Sequence, residues 1–396
     1  MRILFYDWDE FNGADCRDAM KRLGHQVDTV RLNMKGYDLT PEIEKALTDK
    51  LGEKAADKYD LFFSFDYFPN LSEFCQKHGM PYVSWVFDCP HYTLDSHTIN
   101  NPVNKVFLFD RKLCERLIQK GAGTFRYSPL GVNDKRLSAL CEELDSETEG
   151  KIAYEHDVCF LGNLYDNEYN FYDQVNYLPP YLKGYVDAVI AAQERVFGAD
   201  FFTEDAIFNE EHIRQLREYI KFEETGKYEI DYDNVIRDIL RKKVTVNERH
   251  NLLKEMGKYF DTVLYTTPGT KEIPGVCDMG MADYNKKMPR VFRRSKVNLN
   301  ITLRSILSGI PLRVVDILAA GGFLITNYQE EIAEYFVDGQ DLVIAYTPEE
   351  MVQKTAYYLE HEDERREIAS RGRETVYREF AYTKLLPGIL ESINEI

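Results

Sequence analysis

Short apolar runs alternate with helix-patterned stretches along this chain, and that alternation leaves few folds open to it. RILFYDW (2–8), HQVDTVRL (25–32), DLFFSFD (60–66), PYVSWVFD (81–88), KVFLFD (105–110) and TFRYSPLG (124–131) read as strands. Several are apolar almost throughout rather than at every second residue, which is the pattern of a strand buried on both faces. CRDAMKRLGH, LSEFCQKHG and RKLCERLIQKG lie between some of them and read as amphipathic helices. Strand, helix and strand in succession, with right-handed crossovers, predict a parallel sheet covered on both faces.

A second series opens with YEHDVCFLGNLYDN (154–167) and resumes at DTVLYT, KVNLNIT, FLITNY and LVIAY, followed by the helix PEEMVQKTAYYLEH. Between its first and second strands, residues 177–260 are long, charged and helical in pattern, with IRQLREYIKF, VIRDILRKK and NERHNLLKEMGKYF as helices; they read as an inserted helical subdomain. At 396 residues the chain exceeds the usual single-domain size, so two domains are expected. The first, 1–150, is expected to end in the acidic run CEELDSETEGK, and the second to span 151–375. Two doubly wound halves facing one another leave a cleft at the carboxyl ends of their strands, where ligands belong.

Charge excludes some partners. A net charge of −18 argues against a grip on nucleic acid or anionic lipid, because bulk phosphate binding needs a basic surface. Any anionic ligand must then be held by a local cluster. The seven cysteines lack CxxC spacing, which points away from a disulfide framework or a zinc site. MRILFYDWDE enters a strand at once, with no basic or long apolar leader, and no apolar run approaches the ~20 residues that span a bilayer. A cytoplasmic location without an integral membrane segment is expected.

The local cluster is offered by SILSGIPLRVVDILAAGGFLITNY (305–328). Gly309 permits a turn, Pro311 suits a first helical position, and a helix through VVDILAA stops at Gly321-Gly322 before the buried strand FLIT. Free N–H groups at such a helix start attract an anion; Arg313 adds a bidentate clamp, and Asp316 lies one turn further along the same face. An acid beside a phosphate site suits sugar hydroxyls. The set suggests a nucleotide-sugar pocket, with pyrophosphate on the backbone of Gly309, Ile310, Pro311 and Leu312 and on Arg313, and ribose at Asp316. Asn300 and Arg304, at and after the end of KVNLNIT, sit one loop earlier, where base or phosphate contacts often lie.

This segment resembles the C-terminal half of the CgeB-like glycosyltransferases, a branch of the GT-B superfamily, through Arg313, Ala319, Gly321, Gly322, Thr326, Asn327 and Tyr328. WVFDCP (85–90) resembles the phrase that precedes this domain in the same family. The family places Glu where Asp316 stands, and retaining GT-B enzymes carry a second Glu at the position of Ser308, so anomeric stereochemistry is not carried over. The resemblance implies two Rossmann-like domains and a final segment, 376–396, that crosses back to the first. It implies transfer from a nucleotide diphosphate sugar, a UDP-sugar, to a glycan, protein or small-molecule acceptor, with no metal and no further cofactor. It also implies a diphosphate loop at Gly162 and Asn163, with Arg249, Tyr265 and Thr266 flanking base and phosphates.

Asp88 and His91 end a strand of the first domain, and either suits the base that an inverting transfer needs; the family phrase includes Asp88. Asp7, Asp9 and Asp66 imitate a receiver domain but lack its lysine, and the acidic triplet at 231–233 reads as a solvated face rather than a metal site. A sugar-nucleotide epimerase and a non-catalytic nucleotide-sugar sensor or coat-assembly protein stay open as alternatives. The chain is silent on oligomeric state.

Overall fold

Both series of apolar runs form parallel sheets in the structure, a computed structural model that describes residues 1–32, 34, 36–51, 58–147, 153–168, 170–175, 177–222 and 230–394. The chain divides into two units. Unit 1 comprises Met1–Asn133, Glu223–Asp231 and Glu379–Ile396; unit 2 comprises Asp134–Phe222 and Tyr232–Arg378. The boundary expected near residue 150 lies outside the described residues. The division falls at Asn133 instead, because the helix Asp134–Ser146 packs within unit 2 through buried Leu137, Cys141 and Leu144. Asp145 of this helix is held by Arg293 at 2.6 Å. Its helical spacing of apolar residues is masked in the sequence by the acids around them.

In unit 1 the strands are β1 (Arg2–Tyr6), β2 (Gln26–Val30), β3 (Leu61–Phe65), β4 (Tyr82–Val86), β5 (Asn104–Leu108) and β6 (Phe125–Tyr127), in the order β2-β1-β3-β4-β5-β6. Every residue of β3 and β4 is buried, which is why their sequences are continuously apolar. Leu4, Phe62 and Tyr82 pack into one cluster, while Phe5 stacks on Phe63 at 5.2 Å and Phe65 on Trp85 at 5.7 Å. The aromatic content thus serves largely as core. The helix Tyr382–Glu391 joins this core: the Tyr382 ring meets Trp85 edge-on at 5.7 Å, and a Cβ on Gly131 would lie 2.8 Å from the same tyrosine ring. β1, β3 and β4 end earlier than their apolar runs, so Asp7, Trp8, Asp66, Phe87 and Asp88 are loop residues at the carboxyl end of the sheet.

In unit 2, β7 (His156–Leu161), β8 (Thr262–Tyr265), β9 (Val276–Asp278), β10 (Ser295–Asn300), β11 (Leu324–Asn327) and β12 (Val343–Ala345) lie in the order β12-β11-β10-β7-β8-β9. The chain steps outward from β7 to β9, then returns to β10 on the other side of β7. Loops leaving two strands at such a reversal diverge, and a crevice opens at their carboxyl ends. In unit 1 the corresponding reversal lies between β1 and β3.

The insert between β7 and β8 holds the helices Pro180–Gln193, Glu210–Tyr219 and Tyr232–Tyr259. Its centre is Arg241, which is 2% exposed and pairs with Asp238 at 2.9 Å and with Asp200. The acidic triplet is spent on ion pairs, Asp231 with Lys120 at 2.5 Å and Asp233 with Arg217 at 3.0 Å. Arg241→Ala strands the buried Asp238 without its cation, and urea unfolding of this variant is expected to show a loss of about 3–5 kcal/mol.

Candidate functional site

The reversal in unit 2 sets the ends of β7 and β10 side by side, and most of the residues singled out from the sequence lie there. Gly162 and Asn163 follow β7; Asn300 closes β10, and Ile301 and Thr302 follow it. Arg249, on the helix Tyr232–Tyr259, reaches both ends. Its Nε and Nη2 donate to the Ile301 carbonyl at 3.2 and 2.6 Å, and its Nη1 donates to the Asn163 carbonyl. Its guanidinium also lies 5.2 Å from the Tyr165 ring and 5.4 Å from that of Phe160. Burial pushes its pKa down to about 10; Tyr165 opposes that shift, and the charge of Arg313 adds to it. Arg249 therefore holds two loop backbones in register.

The other side chains shape the loops in similar ways. Asn163 Oδ1 accepts from the Tyr165 amide at 2.7 Å, a short turn that places Tyr165 at φ +57°. Asn300 is buried, and its Nδ2 donates to Thr302 Oγ1 at 3.0 Å and Thr326 Oγ1 at 2.9 Å. Arg304 is engaged by Glu248 at 3.0 Å and by the Val196 carbonyl at 3.0 Å, tying its loop to the insert. Tyr265 accepts from the Gly162 amide at 2.8 Å through its carbonyl, and its hydroxyl meets His156 Nε2 at 3.0 Å. Thr266 follows it; the Oγ1 atoms of Thr266 and Thr267 are buried with no hydrogen-bond partner among the described residues.

Arg313 differs from these. It stands in the first turn of the helix Leu312–Ala319, and a Cβ on Gly162 would lie only 2.1 Å from its Nη1. The tip of the guanidinium thus fills the space that a side chain at Gly162 would take. Among the described residues no hydrogen bond or ion pair engages the Arg313 guanidinium. Burial pushes its pKa below the ordinary value, with Tyr165 and Asp316 opposing. Asp316 is buried and accepts from the Tyr284 hydroxyl at 3.2 Å. Tyr284 lies in a polar loop whose sequence carries no signal of this contact.

The helix begins one residue later than expected: Pro311, at φ −60° and ψ 143°, precedes it, and no side chain caps its first N–H groups. The loop carrying Gly309 and Ile310 to that start is pinned from behind. Gln329 Nε2 donates to the Ile306 carbonyl at 2.9 Å, and Ser308 Oγ donates to Glu331 at 2.7 Å. Ile310 is buried and anchors the loop on the core.

Unit 1 carries the residues assigned to proton transfer. Asp88 and His91 follow β4, and Asp66 joins them from the end of β3; one ligand atom of each lies within 4.8 Å of the others, close enough to surround a cation. Asp66 accepts from the amides of Phe87 at 3.0 Å and Asp88 at 3.2 Å. His91 Nε2 meets Thr93 Oγ1 at 2.8 Å and the Tyr67 carbonyl at 3.1 Å, so it is no simple surface histidine. Desolvation of its carboxyl, then the charge of Asp66, pushes Asp88 up to about 7 although the residue as a whole is exposed; burial pushes Asp66 up to about 7, and desolvation pushes His91 down. Asp7 is ion-paired with Arg31 at 2.9 Å and Arg17 at 3.1 Å and stands apart from this trio.

The sequence profile of a family described as "Glycosyl transferase-like" matches residues 243–391. A search among curated proteins finds no match. Among solved structures, HepE of Anabaena in complex with UDP-glucose superposes with a TM-score of 0.52 at 12% identity over 100% of each chain. A glycosyltransferase from Rickettsia africae gives 0.50 at 11% identity over 100% of this chain and 98% of that one. The fold is GT-B. Sucrose-phosphate synthase from Thermosynechococcus elongatus agrees, at 0.50 and 10% identity over 98% of each chain. At such identities the likeness speaks for the chain path alone.

The Gly162 contact is open to a stability measurement. Gly162→Ala pushes aside the flexible tip of Arg313 and is expected to cost about 1 kcal/mol or less in urea unfolding. In an Arg313→Ala background the same change meets no guanidinium and is expected to be close to neutral, so the two substitutions are non-additive.

Proposed function

We propose that this chain is a glycosyltransferase of the CgeB-like kind that binds a UDP-sugar in unit 2 and moves the sugar to a hydroxyl acceptor. One observation carries the proposal: the half-buried Arg313 guanidinium lies against the Gly162 backbone and makes no hydrogen bond or ion pair among the described residues. A diphosphate supplies such a guanidinium with a partner in bidentate geometry. The uncapped start of Leu312–Ala319 adds N–H groups to the same anion. Asp316 offers its carboxylate to a ribose hydroxyl, and the Thr266 and Thr267 hydroxyls, which have no hydrogen-bond partner among the described residues, are further donors. UDP and UDP-glucose are bound by HepE, which shares the fold. The "Glycosyl transferase-like" profile covers β8, β10, Arg249, Arg313 and Asp316.

In the reaction proposed, the acceptor oxygen bonds to the anomeric carbon while the bond from that carbon to the diphosphate oxygen breaks. The electron pair leaves with the diphosphate, whose growing charge Arg313 and the helix start stabilise. The acceptor proton passes to Asp88. His91 is the weaker candidate, since its Nε2 is already engaged by Thr93 and Tyr67 and burial disfavours its charged form.

Two variants separate binding from chemistry. Arg313→Ala is expected to weaken UDP binding roughly a hundredfold by calorimetry, the equivalent of about 3 kcal/mol. Asp88→Asn is expected to keep that affinity while kcat falls by about 10²–10⁴. Unchanged UDP affinity in Arg313→Ala would sink the assignment.

A further inference from the structure

Five cations of unit 2, in a chain of net charge −18, line one cavity of about 270 Å³: Arg293, Lys296, Arg365, Arg366 and Arg373. No carboxylate is among the described residues that line it. Ser295 opens β10 and Phe323 precedes β11, so the cavity lies at the amino ends of these strands, whereas the proposed donor site lies at their carboxyl ends. The length of β10, roughly 17 Å, separates the two. Three of the arginines come from the helix Glu362–Glu379, where positions 365, 366, 369, 370 and 373 recur at helical spacing and form one stripe. Ala369 and Ser370 stand between the arginines, and Gly321 closes the wall beside Arg373, so small residues leave the space that the long side chains surround.

Counter-charges are shared unevenly among the five. Arg293 pairs with Asp145 at 2.6 Å and Lys296 with Asp157 at 2.6 Å, while Arg366 meets Glu362 at 3.7 Å on the exposed side of its helix. Arg365 and Arg373 have no carboxylate partner among the described residues. Arg365 is 1% exposed; its Nη1 donates to the carbonyls of Tyr358 and Leu359, the latter at 3.0 Å, and its guanidinium lies 5.6 Å from the Tyr154 ring. Arg373 Nη2 donates to Ser138 Oγ at 3.1 Å. The Nε atoms of both are buried without a hydrogen-bond partner among the described residues. These contacts cap the end of the helix Pro348–Glu360 and hold the side chains in place, but neutral oxygens leave both charges uncompensated. We propose that the cavity binds a small phosphomonoester, a sugar phosphate, whose phosphoryl group is held by Arg366 and Arg373 against the standing charge of Arg365. Such a group carries about −1.5 to −2 near pH 7, which matches the two unneutralised arginines. The exposed Ser370 offers a further hydroxyl donor. Pockets for drug-sized ligands run from roughly 300 to 1,000 Å³, so this smaller space suits a sugar phosphate rather than a nucleotide sugar. The site is separate from the donor site and does not rest on that reading.

Calorimetric titration of the full chain with ribose 5-phosphate and with inorganic phosphate tests the site. Saturable one-to-one binding of ribose 5-phosphate is expected, with inorganic phosphate competing for the same place. Arg366→Gln combined with Arg373→Gln is expected to weaken that binding about tenfold or more and to leave UDP affinity unchanged. Lys296→Gln, on the strand rather than the helix, is expected to weaken it in the same direction and keeps the test open should the paired variant fold poorly. Arg313→Ala is expected to leave the sugar phosphate bound, which tells this cavity from the donor site whether or not that site takes UDP. Absence of saturable binding would overturn the proposal. So would an affinity unmoved by the three cavity substitutions, or one lost in Arg313→Ala.

Discussion

A buried guanidinium without a carboxylate must spend its donors on whatever oxygen is near, and Arg249 spends three of them on the carbonyls of Ile301 and Asn163. Those carbonyls belong to loops that leave β7 and β10 where the strand order reverses. The bridge fixes how far these loops part, and through them where Gly162 sits beneath the helix that follows β10. Arg313 then rests on that glycine. The charges of the two arginines oppose each other in this small volume, and on the proposed reading a diphosphate is what relieves both. A chain of net charge −18 thus keeps a strongly cationic spot by shielding it in backbone rather than surrounding it with lysine.

Unit 1 applies the opposite sign at its own strand ends. There Asp66, Asp88 and Glu10 gather where β1, β3 and β4 finish, while the arginine nearest to Glu10 is occupied by Asp7. In both units the sheets are alike in construction, parallel and covered on both faces, and the chemistry resides in the few residues just past the last ladder hydrogen bond. The twofold repetition of architecture therefore carries no repetition of charge.

Much of this was legible in the sequence because strands buried on both faces leave unbroken apolar runs. The twelve strands named here were foreshadowed with the exception of β9, a three-residue edge strand that is partly exposed and so leaves no apolar mark. Strand ends were overextended at Trp8 and Phe87, whose aromatic rings pack beyond the point where hydrogen bonding stops, at 6.0 Å from each other. At the site, residue type could be read but direction could not. Arg249, Asn300 and Arg304 look as available as Arg313 in the sequence, and their internal partners come from segments far away along the chain. The contact between Gly162 and Arg313 is likewise long-range, and Asp66 gained meaning only when β3 and β4 were seen to be neighbours.

The return of Glu379–Ile396 to unit 1 bears on how the protein is made. The surface formed by Trp85 and Gly131 is covered by Tyr382, which leaves the ribosome only after all of unit 2 has been translated. At about 5–20 residues per second, the nascent first unit waits roughly ten seconds to a minute with an aromatic face bare. During that interval its protection falls to chaperones rather than to its own sequence.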